Sequence, residues 1–211
     1  MDKDNKKMDC FTIGHSIYES EAFVSLLKLN RIQWLVDIRS IPYSKHNPQY
    51  NKENIKVFLD NNGLSYVFMG NLLGARYTDP ELFFPDKEMV DFRKVRETVE
   101  FKHSIDTLIN KLREGHKICL MCSEKDPFEC HRFVLVSYAL VKKGVNVKHI
   151  LENGLISNEA LEERLLSKYR IEYGNPMLFE STKTKGAAIE EGYVKRNRDI
   201  GYIKADVASI S

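Results

Sequence analysis

Short apolar runs recur along the chain at residues 10–13, 34–38, 64–69, 117–122 and 146–151, and between them apolar residues fall three or four apart. Runs this short and uninterrupted predict strands buried on both faces, unlike the alternating pattern of a sheet with one wet side. The spacing between them predicts amphipathic helices. Their buried stripes would be Phe23, Leu26, Leu27 and Leu29; Ile55, Phe58 and Leu59; Ile105, Leu108, Ile109 and Leu112; and Val134, Leu135, Tyr138 and Ala139. Ser20 or a neighbour would open the first of these helices, Gly63 and Gly144 would stop two others, and Ser157 would cap a last helix over 158–169. Strands and helices thus alternate from residue 10 to 151. The alternation predicts an α/β fold: an open, mainly parallel sheet of about five strands with helices on both faces in a Rossmann-like three-layer arrangement, plus a C-terminal helix and tail.

Residues 1–9 are polar and mixed in charge and read as a flexible N-terminus. Residues 10–170 read as one α/β domain, interrupted at 70–98 by an irregular, aromatic-rich insertion containing Pro80 and Pro85. Residues 171–211 form an extension whose charged, glycine-bearing end shows no period and reads as a loose arm. A chain of 211 residues suits one good core rather than two large domains. No apolar run approaches the roughly 18 residues of a membrane helix. The N-terminus has no apolar signal-peptide core, so a cytoplasmic protein without a membrane partner is expected. A net charge of +2 gives no general pull toward nucleic acid.

Reactive residue types gather just after three of the apolar runs. Gly14, His15 and Ser16 follow the first, Asp37, Arg39 and Ser40 end the second, and Cys122 ends the fourth. Glu124 and then Cys130, His131 and Arg132 follow Cys122 before the next apolar run. In open α/β sheets ligands bind at the carboxyl ends of strands, so these segments are expected to share one rim. There His131 and His15 suit acid/base work near neutral pH, and Asp37 and Glu124 are carboxylates for the same task. A helix start beside Cys130 would favour its thiolate. Strand parity places Cys122 with Leu120 on one face and Cys119 with Met121 on the other, making Cys119 core. Arg39 and Arg132 are expected to hold an anion. Cys122, Cys130, His131 and His15 also carry metal-binding atoms. The wide Cys122–Cys130 spacing and two adjacent ligands depart from usual zinc patterns, so no metal is assigned and the cofactor stays unnamed.

Taken together, Thr12 to Ser16, Val36 to Ser40 with Pro42, the Asn47, Pro48, Gln49, Tyr50 loop, and Cys122 to Glu124 through Arg132 resemble the DUF488 family over about residues 10–151. Leu72, Leu73 and Gly74 look like that family's Leu-Gly-Gly segment, with Ala75 replacing one glycine. The resemblance implies an α/β domain with a site and names no reaction. The expectation is an enzyme that holds an anionic small molecule or nucleotide-like group. Gly14, Ser16, Arg39, Ser40, Asn47, Gln49, Tyr50 and Arg132 would bind it. His15, Asp37, Glu124, Cys122, Cys130 and His131 would carry the chemistry. One alternative is rhodanese-like sulfur or phosphoryl transfer through Cys122, opposed by the acidic Glu124, Asp126 and Glu129. Another is a nucleic-acid-binding or interaction module using Tyr43, Lys45, His46 and Tyr50 with Lys183, Lys185, Lys195, Arg196 and Arg198.

Overall fold

The computed structural model describes residues 8–86, 89–174 and 183–203. Six strands form a single sheet in the order β3-β2-β4-β1-β5-β6. They are β1 (Asp9–Gly14), β2 (Trp34–Asp37), β3 (Ser65–Phe68), β4 (Ile118–Cys122), β5 (Asn146–Leu151) and β6 (Gly154–Ser157). The first five run parallel, as the uninterrupted apolar runs predict. The sixth was not expected: β6 turns back antiparallel on β5 and closes that edge. It is too short and too exposed to carry a periodic signal.

Helices cover both faces. On one, α1 (Ser20–Leu29) and α2 (Lys52–Asn61) bury Phe23, Leu27, Ile55 and Leu59 against Leu35, Cys119 and Met121. On the other, α5 (Val99–Arg113), α6 (Tyr138–Lys142) and α7 (Asn158–Tyr169) pack with Val36, Leu120 and Cys122. The parity expected for the two cysteines therefore holds. Local chemistry sets the helix ends: Thr98 accepts from Phe101 N and Ser157 from Ala160 N. Gly63 stops α2 with φ +75°, a conformation that favours glycine. α1 differs from expectation, since Glu19 precedes it without a side-chain cap.

The 70–98 segment is more ordered than its composition suggested. It contains α3 (Gly70–Leu73) and α4 (Phe92–Glu97), the latter capped by Asp91, which accepts from Arg93 N. The C-terminal segment departs further. Lys185–Ile200 is a helix, α8, where a loose arm was expected. Its buried stripe is Ala188, Gly192, Tyr193, Arg196 and Asn197. That stripe has helical spacing but mixes glycine, cation and amide, so hydrophobicity alone hides it. Gly192 lies so close to α7 that a Cβ there would come within 2.0 Å of Leu165 Cδ2. Asn197 accepts from Phe92 N (2.8 Å) and donates to Val90 O (3.0 Å), while Arg196 Nε donates to Phe128 O (2.9 Å). α8 thus ties the insertion and the loop after β4 to the core. Asp9, expected in the flexible N-terminus, opens β1, and residues 1–7 lie outside the described residues. Among the described residues no helix is long and apolar enough to cross a membrane.

Candidate active site at the rim of the sheet

Strand order decides what the carboxyl-end rim brings together. The chain leaves β2 through α2 on one face toward β3, and leaves β4 through α6 on the other face toward β5. Connections that diverge from neighbouring strands open a crevice between them. Register levels the three ends, with Asp37 beside Met121 and Gly14 beside Cys122. The loops stay in step beyond the strands: His15 N donates to Cys122 O and Ser16 N to Ser123 O, both at 2.9 Å. Gly14 lies against the loop after β4, and a Cβ there would meet Glu124 O at 1.7 Å.

Around β2 the buried groups form one network. The Asp37 carboxylate, fully buried, accepts from Arg39 N (3.0 Å), Arg39 Nε (2.9 Å), Arg39 Nη2 (2.7 Å) and the Tyr66 hydroxyl (2.7 Å). Arg39 Nη2 also donates to Tyr50 O (2.7 Å), and Nη1 approaches His15 Nε2 at 3.2 Å. Burial works against the Arg39 charge, but the Asp37 hydrogen bonds and charge outweigh it and hold its pKa above the ordinary value. His15 sits between the Arg39 guanidinium and the Tyr50 ring, stacked at 4.2 Å, with Nδ1 2.9 Å from Ser16 O. Burial, then the Arg39 charge, push its pKa down to about 4. His15 is therefore a neutral imidazole at pH 7, with Nδ1–H donating to Ser16 O and Nε2 accepting from Arg39.

Around β4 the sulfur groups converge. Cys122 Sγ is 3.6 Å and Cys130 Sγ 3.9 Å from His131 Nδ1, while His131 Nε2 is 3.1 Å from Ile38 O. Cys130 Sγ donates to Glu124 Oε2 at 2.9 Å. Burial pushes both thiols up, Cys130 well above its usual value. Burial would also raise Glu124, but the Cys130 hydrogen bond and the His131 charge overcome it and hold the carboxyl below its ordinary value. The helix start expected to activate Cys130 is a π-helical turn, Arg132–Ser137, running into α6. Dry surroundings outweigh it, and Cys130 is a protonated thiol.

Several expected ligand-binding residues turn out to be internal braces. Arg132 is fully buried and donates to Glu124 O (2.5 Å) and Lys125 O (3.0 Å), shaping the loop after β4. Arg39 is committed to Asp37 and Tyr50. Each guanidinium satisfies acceptors that only folding brings near; Arg132 lines neither cleft at the rim, whereas Arg39 lines both. Ser40 Oγ accepts from Ala75 N (2.9 Å) and Arg76 N (3.2 Å), pinning the insertion to the rim. The Tyr50 hydroxyl donates to Tyr18 O (2.8 Å). Asn47 and Ser16 line an outer cleft of about 310 Å³ together with His15, Arg39, Tyr43 and Glu124. Gln49 lies in the short turn before α2 and lines neither this cleft nor the inner cavity.

An inner cavity of about 60 Å³ is lined by Cys122, Glu124, His131, Arg39, Arg76 and Tyr202 among others. Arg76 and Tyr202 were missed by sequence reasoning. Arg76 belongs to the insertion, and Tyr202 follows α8 in the segment without period. The Arg76 guanidinium lies 4.5 Å from the Tyr202 ring centroid, and among the described residues no carboxylate pairs with it. The signal that would have found it is an arginine directly after the Leu-Gly-Gly-like turn. The cations proposed for nucleic acid are mostly neutralised: Lys185 pairs with Glu163, Lys195 with Glu191, Arg196 with Glu129 and Arg198 with Asp86.

The chain belongs to the family described as Domain of unknown function DUF488, whose profile it matches over residues 19–139. That span contains Asp37, Arg39, Tyr50 and Tyr66 of the β2 network, but not His15, and the Cys122, Glu124, Cys130 and His131 cluster. No curated protein and no solved structure matches the chain.

Proposed function

We propose that this DUF488 member is an enzyme acting on a small anion-bearing molecule, with the inner cavity at the β2–β4 crevice as its reaction site. One observation carries the reading. A thiol, an imidazole and a carboxylate, the last bonded to a second thiol on Cys130, line a cavity of about 60 Å³ together with Arg76, a guanidinium with which no carboxylate among the described residues pairs. A convergent set of titratable groups in a concave, largely dry site is the pattern expected of catalysis. Arg76 replaces Arg39 and Arg132 as the anion's partner, and Arg39 becomes a positioning residue that orients His15. The outer cleft leads substrate past His15 and Asn47 toward Glu124. Four buried free thiols suit a reducing compartment, so a cytoplasmic location is part of the same reading.

Rhodanese-like transfer through Cys122 fits less well. A transferring sulfur must be a thiolate, whereas burial raises Cys122 and Glu124 adds to it. The test is thermal unfolding of the full chain with inorganic phosphate, sulfate or AMP, for wild type and Arg76→Gln. A ligand at about a hundred times its Kd stabilises by about 2.7 kcal/mol, roughly 5–10 °C in a chain of this length. At least one probe should raise the wild-type midpoint by that order, and Arg76→Gln should lose most of the rise. No shift with any probe, or an equal shift in the variant, overturns the proposal.

A further inference from the structure

We propose that Cys122, Cys130 and His131 hold a divalent metal ion of the zinc class, with a fourth coordination position open to the inner cavity. The inference deepens the reading of that cavity as a reaction site by naming its cofactor. One donor atom from each residue lies within 4.8 Å of the other two. Two of the separations, 3.6 and 3.9 Å, come close to the edges of a tetrahedron around zinc. Metal–sulfur bonds of about 2.3 Å and metal–nitrogen bonds of about 2.0–2.1 Å give edges of roughly 3.5–3.8 Å. The three residues therefore need only small side-chain rotations to close on an ion.

Orientation supports the same conclusion independently. His131 Nε2 is 3.1 Å from Ile38 O, so it carries the hydrogen and leaves Nδ1 facing both sulfurs. A ring nitrogen held by a backbone carbonyl while the other points at soft donors is the usual outer support of a metal-bound histidine. The adjacency of residues 130 and 131, an objection at the level of sequence, is resolved by the backbone. Cys130 is extended (φ −133°, ψ 144°) and His131 is helical (φ −59°, ψ −23°). That break turns two consecutive side chains toward one point. Cys122 reaches the same point from the end of β4, so the spacing in sequence places no constraint on the site.

Two thiolates and an imidazole select zinc over the hard cations magnesium and calcium. Binding converts both thiols to metal-bound thiolates and releases two protons. Glu124 accepts the Cys130 hydrogen bond in the free protein and is placed to take up that proton. Once that proton has passed to solvent, Glu124 lines the inner cavity as a carboxylate again. Three protein ligands with one free position is the arrangement of catalytic rather than structural zinc sites.

The test is titration of metal-free, reduced full-length protein with Co²⁺, followed by displacement with Zn²⁺. One equivalent of Co²⁺ should develop a thiolate-to-cobalt charge-transfer band and the visible bands of four-coordinate cobalt, and Zn²⁺ should bleach them. Cys122→Ser and Cys130→Ser should each lose the charge-transfer band or shift it markedly, while Glu124→Gln should keep it. Should the serine variants fail to fold, X-ray absorption on zinc-loaded wild type replaces them, with two sulfurs at about 2.3 Å and a nitrogen at about 2.0–2.1 Å expected. Absence of uptake, or a shell of nitrogen and oxygen only, overturns the site. Loss of binding in Glu124→Gln makes Glu124 a ligand and overturns the open position. Because these readouts use no anion, they fail or succeed separately from the Arg76 test.

Discussion

Replacing Asp37 with alanine tests whether the β2 network braces the rim or serves as an anion grip. In the folded chain that carboxylate is fully buried and accepts four hydrogen bonds, three from Arg39 and one from Tyr66. Its removal strands the Arg39 guanidinium, itself 3% exposed, with only Tyr50 O and His15 Nε2 as partners. Breaking a buried ion pair from one side costs about 3–5 kcal/mol, because the remaining charge stays in a dry site. That is a large fraction of the roughly 5–15 kcal/mol by which domains are stable, and it lowers Tm by about 6–20 °C. The assay is urea unfolding followed by fluorescence of Trp34, which opens β2 and is the chain's one tryptophan. Arg39→Ala and the double variant complete a thermodynamic cycle. The double variant should cost less than the two single variants together, by about 1–3 kcal/mol, since no charge is left stranded. A loss below about 1 kcal/mol in Asp37→Ala, or strict additivity in the cycle, would refute the brace and return Arg39 to the role of ligand-binding residue.

Acidification should destabilise the protein before its carboxylates titrate. His15 is pushed down to about 4 by burial and Arg39, and His149 to about 3 by burial and Arg132, so both stay neutral when folded and take up protons only on unfolding. Their stabilisation is present above the unfolded value near 6.5 and is lost as pH falls, at about 1 kcal/mol per pH unit for each between pH 6 and 5. His131 differs: burial works against its charge, but Cys130 and Glu124 outweigh it and raise its pKa, so its contribution grows as pH falls and opposes the trend. Urea midpoints at pH 7, 6 and 5 should fall progressively, and His15→Gln should flatten the fall by about half. A pH-independent wild type would contradict the buried neutral imidazoles. Gly14→Ala should cost about 3 kcal/mol or more, because its methyl would meet the backbone carbonyl of Glu124 at 1.7 Å and a main chain cannot swing aside as a side chain can. A urea midpoint within error of wild type would show that the loop after β4 yields freely.

Hydrophobic period is a local property, and what depended on it was determined by the sequence alone. The uninterrupted runs at 34–38 and 117–122 specify parallel strands covered on both faces, and their parity puts Cys122 with Leu120 and Cys119 with Met121. The position of reactive residues just after those runs was legible for the same reason. Pairing of polar groups across long separations is not local, and only the tertiary structure decided it. Arg39 and Arg132 are chemically alike in sequence to free anion-binding guanidiniums. The fold spends one on Asp37 and Tyr50 and the other on the carbonyls of Glu124 and Lys125. Arg76, from an insertion without period, lines the cavity together with Arg39. α8 escaped notice because its buried stripe earns its place through the close seat of Gly192 and the hydrogen bonds of Arg196 and Asn197 rather than through apolar area. Strand order, set by how the crossovers pack, finally brought β2 and β4 side by side and made two distant segments a single crevice.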